Sequence, residues 1–205
     1  MNTTASTPRT GRTSRSWTTR DIVIASIVAV VSGLIFWLWS TAIYPLLTAA
    51  LAVAPEYAPL AGGGWLIAGV LGGLIVRKPG AALYCEVLAA IIEGLLGTHF
   101  GWTVIISGLA QGLGAELIFA IFLYRRFNFM VALLAGAASG VMMGLNEIIM
   151  YYAAELTPGK MVVYTVCAAI SGLIIAGLLS WLAMRALAGT GALPNLRIDD
   201  RRVTR

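Results

Sequence analysis

Six apolar runs of bilayer-crossing length occupy most of this chain, and that length constrains its architecture more than any other feature. A spanning helix needs about 20 predominantly apolar residues, with a usable range of about 17 to 25. The runs fall at residues 22–44, 60–76, 80–97, 102–124, 128–152 and 161–185. At 59% hydrophobic and 11% charged residues, the 205-residue chain is too apolar for a soluble domain to hide in one core. The expected fold is an all-α membrane protein, a six-transmembrane-helix bundle. The second run, LAGGGWLIAGVLGGLIV, is short and glycine-rich, so its existence rests on a separate test from charge.

Arg9, Arg12, Arg15 and Arg20 precede the first run, Arg77 and Lys78 follow the second, and Arg125 and Arg126 follow the fourth. Arg185, Arg197, Arg201, Arg202 and Arg205 follow the sixth, which puts thirteen positive residues on one side and only Lys160 on the other. The positive-inside rule then makes both termini cytoplasmic, and deleting the second helix would destroy the pattern. Basic residues confined to tails and short loops mark membrane orientation, not nucleic-acid binding.

Residues 1–20 hold four Arg, many Ser and Thr and no acid, and read as a disordered basic tail. Residues 21–188 form the transmembrane domain and 189–205 a second basic tail. The first apolar run continues past signal-peptide length with no small-residue cleavage site, so it is retained as a helix. Cys85 and Cys167 stand singly in apolar runs and read as small core residues. His99, the only histidine, lies between runs and reads as a solvated loop residue. No HExxH, Ser/His/Asp set, Cys/His cluster or Walker loop is present, so the chain reads as neither an enzyme nor a cofactor binder. The longest connection, residues 45–59, carries Pro45, Pro55 and Pro59, and is either a cap over a cavity or a solvated link.

Four carboxylates lie inside the runs: Glu86, Glu93, Glu116 and Glu147, with Gln111 and Asn146 as intramembrane amides. A carboxylate at the bilayer centre costs about 2.5 to 3.5 kcal/mol even on lenient scales, so these side chains are expected to face inward. A seven-residue spacing returns to within roughly 20° on a helix, which puts Glu86 and Glu93 on one face. Glu147 shares a face with Gly140, Gly144 and Tyr151, while Glu116 shares one with Leu109 and Trp102. Gln111 lies elsewhere on its helix, with Ser107. Counted from the outer end at about 1.5 Å per residue, Glu93 and Glu147 lie roughly 6 to 8 Å deep, Gln111 and Glu86 roughly 14 to 16 Å, and Glu116 about 21 Å. The expectation is an outward-facing cavity lined by Glu86, Glu93, Gln111, Glu116, Asn146, Glu147, Tyr151 and Trp102. Its negative charge suits a cation or a ring bearing hydrogen-bond donors. A proton or cation pathway, as in a small secondary transporter or channel, is the competing reading. Acids bonded to neighbouring helices for structure alone are the other alternative.

RKPGAALYCEVLAAIIEGLLG (77–97) and GLAQGLGAELIFAIFLYRR (108–126) resemble the S components of energy-coupling factor (ECF) transporters, in particular the YkoE type associated with thiamine and its hydroxymethylpyrimidine precursor. The resemblance spans about residues 18–188. It implies a prokaryotic plasma-membrane protein that captures a thiamine-class molecule from outside. Partners, a coupling transmembrane subunit and two ATPase subunits, would then drive uptake. An Ala-x-x-x-Ala pattern in the first helix docks such proteins on the coupling subunit, and here Ala25 and Ala29 match it.

Overall fold

The structure, a computed structural model, describes residues 16–190, and the described residues are helical with no strand. α1 (Thr19–Leu38) opens with a capping box, the Thr18 side chain accepting from Asp21 N–H while the Asp21 carboxylate takes the Thr18 N–H. It runs through a π turn, Trp39–Ile43, into the short α2 (Tyr44–Ala49). A 3₁₀ segment, Pro55–Leu66, leads into α3 (Ile67–Val76). After a turn come α4 (Ala81–Leu96) and α5 (Thr103–Ile121). α6 (Phe129–Glu147), capped by the Asn128 side chain, is extended by a π turn, Ile148–Tyr152. α7 (Pro158–Ser171) passes through a third π segment, Gly172–Leu178, into α8 (Leu179–Gly189).

Among the described residues, five helical stretches are long and apolar enough to cross a membrane: Thr19–Ala49, Pro55–Val76, Thr103–Ile121, Phe129–Tyr152 and Pro158–Gly189. The run expected at 80–97 forms α4, a shorter helix of 16 residues. The 45–59 connection is largely ordered, since α2 occupies its start and the 3₁₀ segment its end. α1 begins two residues inside the tail expected at 1–20; positions 1–15 and 191–205 lie outside the described residues.

The glycine-rich second run is the most interior of the five, 83% buried against 28–44% for the others. That burial explains its composition. A methyl group added at Gly73 would overlap the Phe119 ring, and one added at Gly64 would overlap the Trp39 indole. Glycine there lets α1 and α5 close directly on the backbone. α4 sits between α1, α3 and α5, while α6 joins α5 to α7.

The chain enters and leaves the bundle at one end. The Trp17 Nε1–H donates to the Pro79 carbonyl at 2.9 Å, and the Arg77 guanidinium lies 5.2 Å from the Phe127 ring centroid. Phe129 meets Trp181 of α8 with ring centroids 6.0 Å apart. Arg20, Arg77, Lys78, Arg125, Arg126 and Arg185 therefore belong to this end, as their grouping in the sequence anticipates. Lys160 lies at the other end, paired with Glu56 Oε2 at 3.2 Å, which ties the start of α7 to the 3₁₀ segment.

Candidate functional site

A stripe of small buried residues on α1 begins the construction of the site. Ala25, Ala29, Ser32, Gly33 and Phe36 fall at helical spacing and all turn inward. A methyl at Gly33 would press on Ile92 and the Ala89 carbonyl, and the Cys85 thiol reaches the Ala25 carbonyl at 3.5 Å. The stripe thus seats α1 closely on α4. Ala25 and Ala29, the pair expected to dock on a coupling subunit, are both 0% exposed here, packed inside the chain.

At the end opposite the basic turns, α1, α4, α5 and α6 part around a cavity whose empty space, open solvent at its mouth included, is about 420 Å³. Its walls include Glu93, Gln111, Glu147 and Tyr151, four residues anticipated from sequence. Phe36, Trp65, Ala90, Phe100, Thr103, Val104 and Ser107 complete it. These were not anticipated as lining residues, since an apolar residue facing a cavity has the same sequence signature as one facing lipid. Ser107 did carry a signal, in sharing the Gln111 face of α5.

The polar wall is oriented by neighbours. Ser40 on the π turn donates to Glu93 Oε1, and Trp65 Nε1–H donates to Ser40 Oγ at 2.9 Å. The Tyr164 hydroxyl donates to Glu147 Oε2 at 2.7 Å. Asn146 is not itself in the wall; its amide donates to Ser107 Oγ at 3.0 Å and so orients a residue that is. The Thr103 hydroxyl donates to the Phe100 carbonyl at 2.7 Å, so the Tyr151 hydroxyl, 2.7 Å from Thr103 Oγ1, is the donor in that pair. Tyr44, Trp65 and Phe100 form an aromatic cluster, with centroids of 4.6 Å for Tyr44–Trp65 and 5.7 Å for Trp65–Phe100. His99 is exposed in its loop, as expected, with its ring 3.9 Å from that of Phe100.

The remaining anticipated residues lie elsewhere, for identifiable reasons. Trp102 is 63% exposed, because the 102/109/116 face of α5 points out of the bundle at this level. Glu116 lies at the basic end. Its two oxygens accept from the N–H groups of Gly80 at 2.6 Å, Ala82 at 3.0 Å and Leu83 at 3.3 Å, and from the Tyr124 hydroxyl at 2.7 Å. It is the cap of α4, whose own N-cap, Gly80, has no side chain to offer. Glu86 shares the inward face with Glu93, as the seven-residue spacing requires, and is 0% exposed. Its Oε2 takes the N–H of Gly69, in the first turn of α3, another helix without a side-chain cap. Two of the four acids therefore serve the positive ends of neighbouring helices, and two face the cavity.

An aromatic-walled cavity bearing two carboxylates, set among membrane-spanning helices, defines a membrane-embedded binding protein. Comparison with known proteins agrees. Residues 20–142 match a family described as the permease component of an ABC-type cobalt transport system. A putative HMP/thiamine permease protein, YkoE of Bacillus subtilis (strain 168), is 34% identical over 184 residues, covering 90% of this chain and 91% of that protein. A crystal structure of an S component of an ECF transporter superposes with a TM-score of 0.73 at 33% identity, covering 87% of this chain and 89% of that one. The chain belongs to the S components of ECF transporters, of the YkoE type. These relatives are transport components, not enzymes.

Proposed function

We propose that the chain captures thiamine or its hydroxymethylpyrimidine precursor from outside a prokaryotic cell, for ATP-driven uptake by partner subunits. The observation that carries this reading is the pairing of Glu93 and Glu147 with aromatic walls in a cavity that no Lys, Arg or His lines. Thiamine offers a permanently cationic thiazolium for a carboxylate and an aminopyrimidine whose donors suit Glu and Gln oxygens. Either ring can stack on Trp65, Phe36 or Phe100, and the thiazolium adds a cation–π attraction of about 0.5 to 2 kcal/mol. The name of the YkoE relative supports the same substrate class.

The matching family's description names cobalt, but among the described residues no three His, Cys, Asp or Glu side chains gather as a metal site would need. An organic cation fits the donor set better. The partners in this reading are a coupling transmembrane subunit and two ATPase subunits in the plasma membrane. Six crossings with cytoplasmic termini follow if α4 also spans. Its 16 residues reach about 24 Å, short of the ~30 Å hydrocarbon core, and α1, α3 and α5 cover its flanks.

Isothermal calorimetry on the purified chain, titrated in turn with thiamine, hydroxymethylpyrimidine and cobalt(II), tests the reading. Binding of either organic ligand, weakened in Glu93→Gln, is the expected result. Binding of cobalt alone would overturn the substrate class. Uptake that persists without any ATPase partner and collapses with an uncoupler would favour the ion-coupled alternative.

A further inference from the structure

Ser40 lies in the π turn that follows α1 and is 0% exposed. It continues the inward stripe, one turn beyond Phe36, and is not among the residues lining the cavity. Both of its hydrogen-bond partners, Trp65 and Glu93, do line it. The direction of these bonds is fixed by the chemistry of the groups. An indole N–H only donates, so Ser40 Oγ must accept from Trp65, and the single hydroxyl proton is left for Glu93 Oε1.

The consequence is geometric. One buried hydroxyl fixes an aromatic wall and a carboxylate relative to each other, 25 and 53 residues away in sequence. With Oε1 engaged, Oε2 is the Glu93 oxygen left to meet a ligand, and it meets it as an acceptor. A side chain held this way does not have to be ordered when ligand arrives, and preorganisation of that kind raises affinity without adding a contact.

We propose that Ser40 is the positioning residue of the binding site. Through its hydroxyl it aims Glu93 at the ligand and sets the Trp65 ring beside it, selecting ligands that present a cation or a hydrogen-bond donor to Oε2. The proposal rests on the cavity being the substrate site. It predicts that most of the effect of Ser40 on binding requires a side chain at position 93 that can accept its proton.

A double-mutant cycle on the full chain in detergent tests this, with thiamine as probe and thermal melting as the control for folding. Ser40→Ala is expected to weaken thiamine by about tenfold. In a Glu93→Ala background, where no acceptor for the Ser40 proton remains, the same change is expected to cost less than about threefold, what is left being the Trp65 bond. Equal losses in both backgrounds, or wild-type affinity in Ser40→Ala, would overturn the proposal. A ligand-free arm separates it from the substrate reading: labelling by dicyclohexylcarbodiimide, mapped by mass spectrometry. Ser40→Ala is expected to raise labelling of Glu93 several-fold over wild type while Glu86 stays unchanged. If wild type does not bind thiamine, the substrate reading falls and the labelling decides Ser40 alone. Unchanged Glu93 labelling would refute the positioning role.

Discussion

Glu116→Gln is the perturbation that most directly separates the two pairs of acids. Glu116 Oε1 holds the Gly80 N–H and the Tyr124 hydroxyl, and Oε2 holds the Ala82 and Leu83 N–H groups. Glutamine keeps one acceptor oxygen and turns an NH₂ donor toward the other pair, so two charge-assisted bonds are lost and donor meets donor. Bonds to a charged group are worth about 1.5 to 3 kcal/mol each. Glu116 is only part-buried and water relieves some of the loss, which leaves a cost of roughly 2 to 4 kcal/mol. For a chain of this size each kcal/mol moves the melting midpoint by about 2 to 4 °C, so a fall of roughly 4 to 16 °C is expected in detergent. Thiamine affinity of the folded fraction, read by calorimetry well below the midpoint, should be within about twofold of wild type, since Glu116 lies at the opposite end from the cavity. Glu93→Gln should invert the pattern, with a loss of about 10- to 100-fold in affinity and a smaller change in melting. If Glu116→Gln weakens the ligand as much as Glu93→Gln does while melting like wild type, the division of the acids into helix caps and ligand contacts is wrong.

Tyr164→Phe removes the hydroxyl that holds Glu147 and should weaken thiamine by about three- to tenfold in calorimetry. Thiamine monophosphate brings about two negative charges to a cavity walled by two carboxylates. It should bind at least about tenfold more weakly than thiamine by the same measurement. Gly136→Ala drives a methyl into the Gly172 carbonyl and the Gly177 nitrogen, backbone atoms that cannot rotate aside. It should lower the melting midpoint sharply, whereas Gly94→Ala, whose nearest neighbour would be Val104 at 3.4 Å, should melt near wild type.

The helices were legible because the bilayer enforces their length, and their grouping of charge was legible because only one end carries Arg and Lys in number. The π turns were not, since Trp39–Ile43 differs from a continuing α-helix by one residue of register and nothing in WSTAI announces it. Of the site, sequence exposed only polarity: Glu93, Gln111 and Glu147 stood out as polar groups in apolar runs, while Phe36 and Val104 could not. Glu86 and Glu116 were legible as inward acids but not by task, because a carboxylate facing a ligand and one facing a helix terminus look alike in one dimension. A signal for the second task existed in the receiving helices. α4 opens on Lys-Pro-Gly and α3 on Gly-Trp-Leu, neither with a Ser, Thr, Asp or Asn to satisfy its first N–H groups. Donors left unsatisfied at a helix start inside a membrane call for an acceptor from another helix.

That demand accounts for the placement of four costly residues in so apolar a chain. A helix start with no side-chain cap leaves N–H groups short of acceptors, and a carboxylate is the strongest acceptor a neighbour can supply. Glu116 is stabilised by the end it closes, with both oxygens engaged, whereas Glu86 has one oxygen on the Gly69 N–H and the other buried without a hydrogen-bond partner. Glu93 and Glu147 each receive one fixed hydroxyl donor, from Ser40 and Tyr164, instead of a set of backbone N–H groups. Their remaining acceptor capacity faces the cavity, where the proposed cationic ligand would complete it. The same physics that makes an acid expensive in a membrane therefore ties Glu116 and Glu86 to backbone N–H groups and leaves Glu93 and Glu147 open toward the cavity for the proposed ligand.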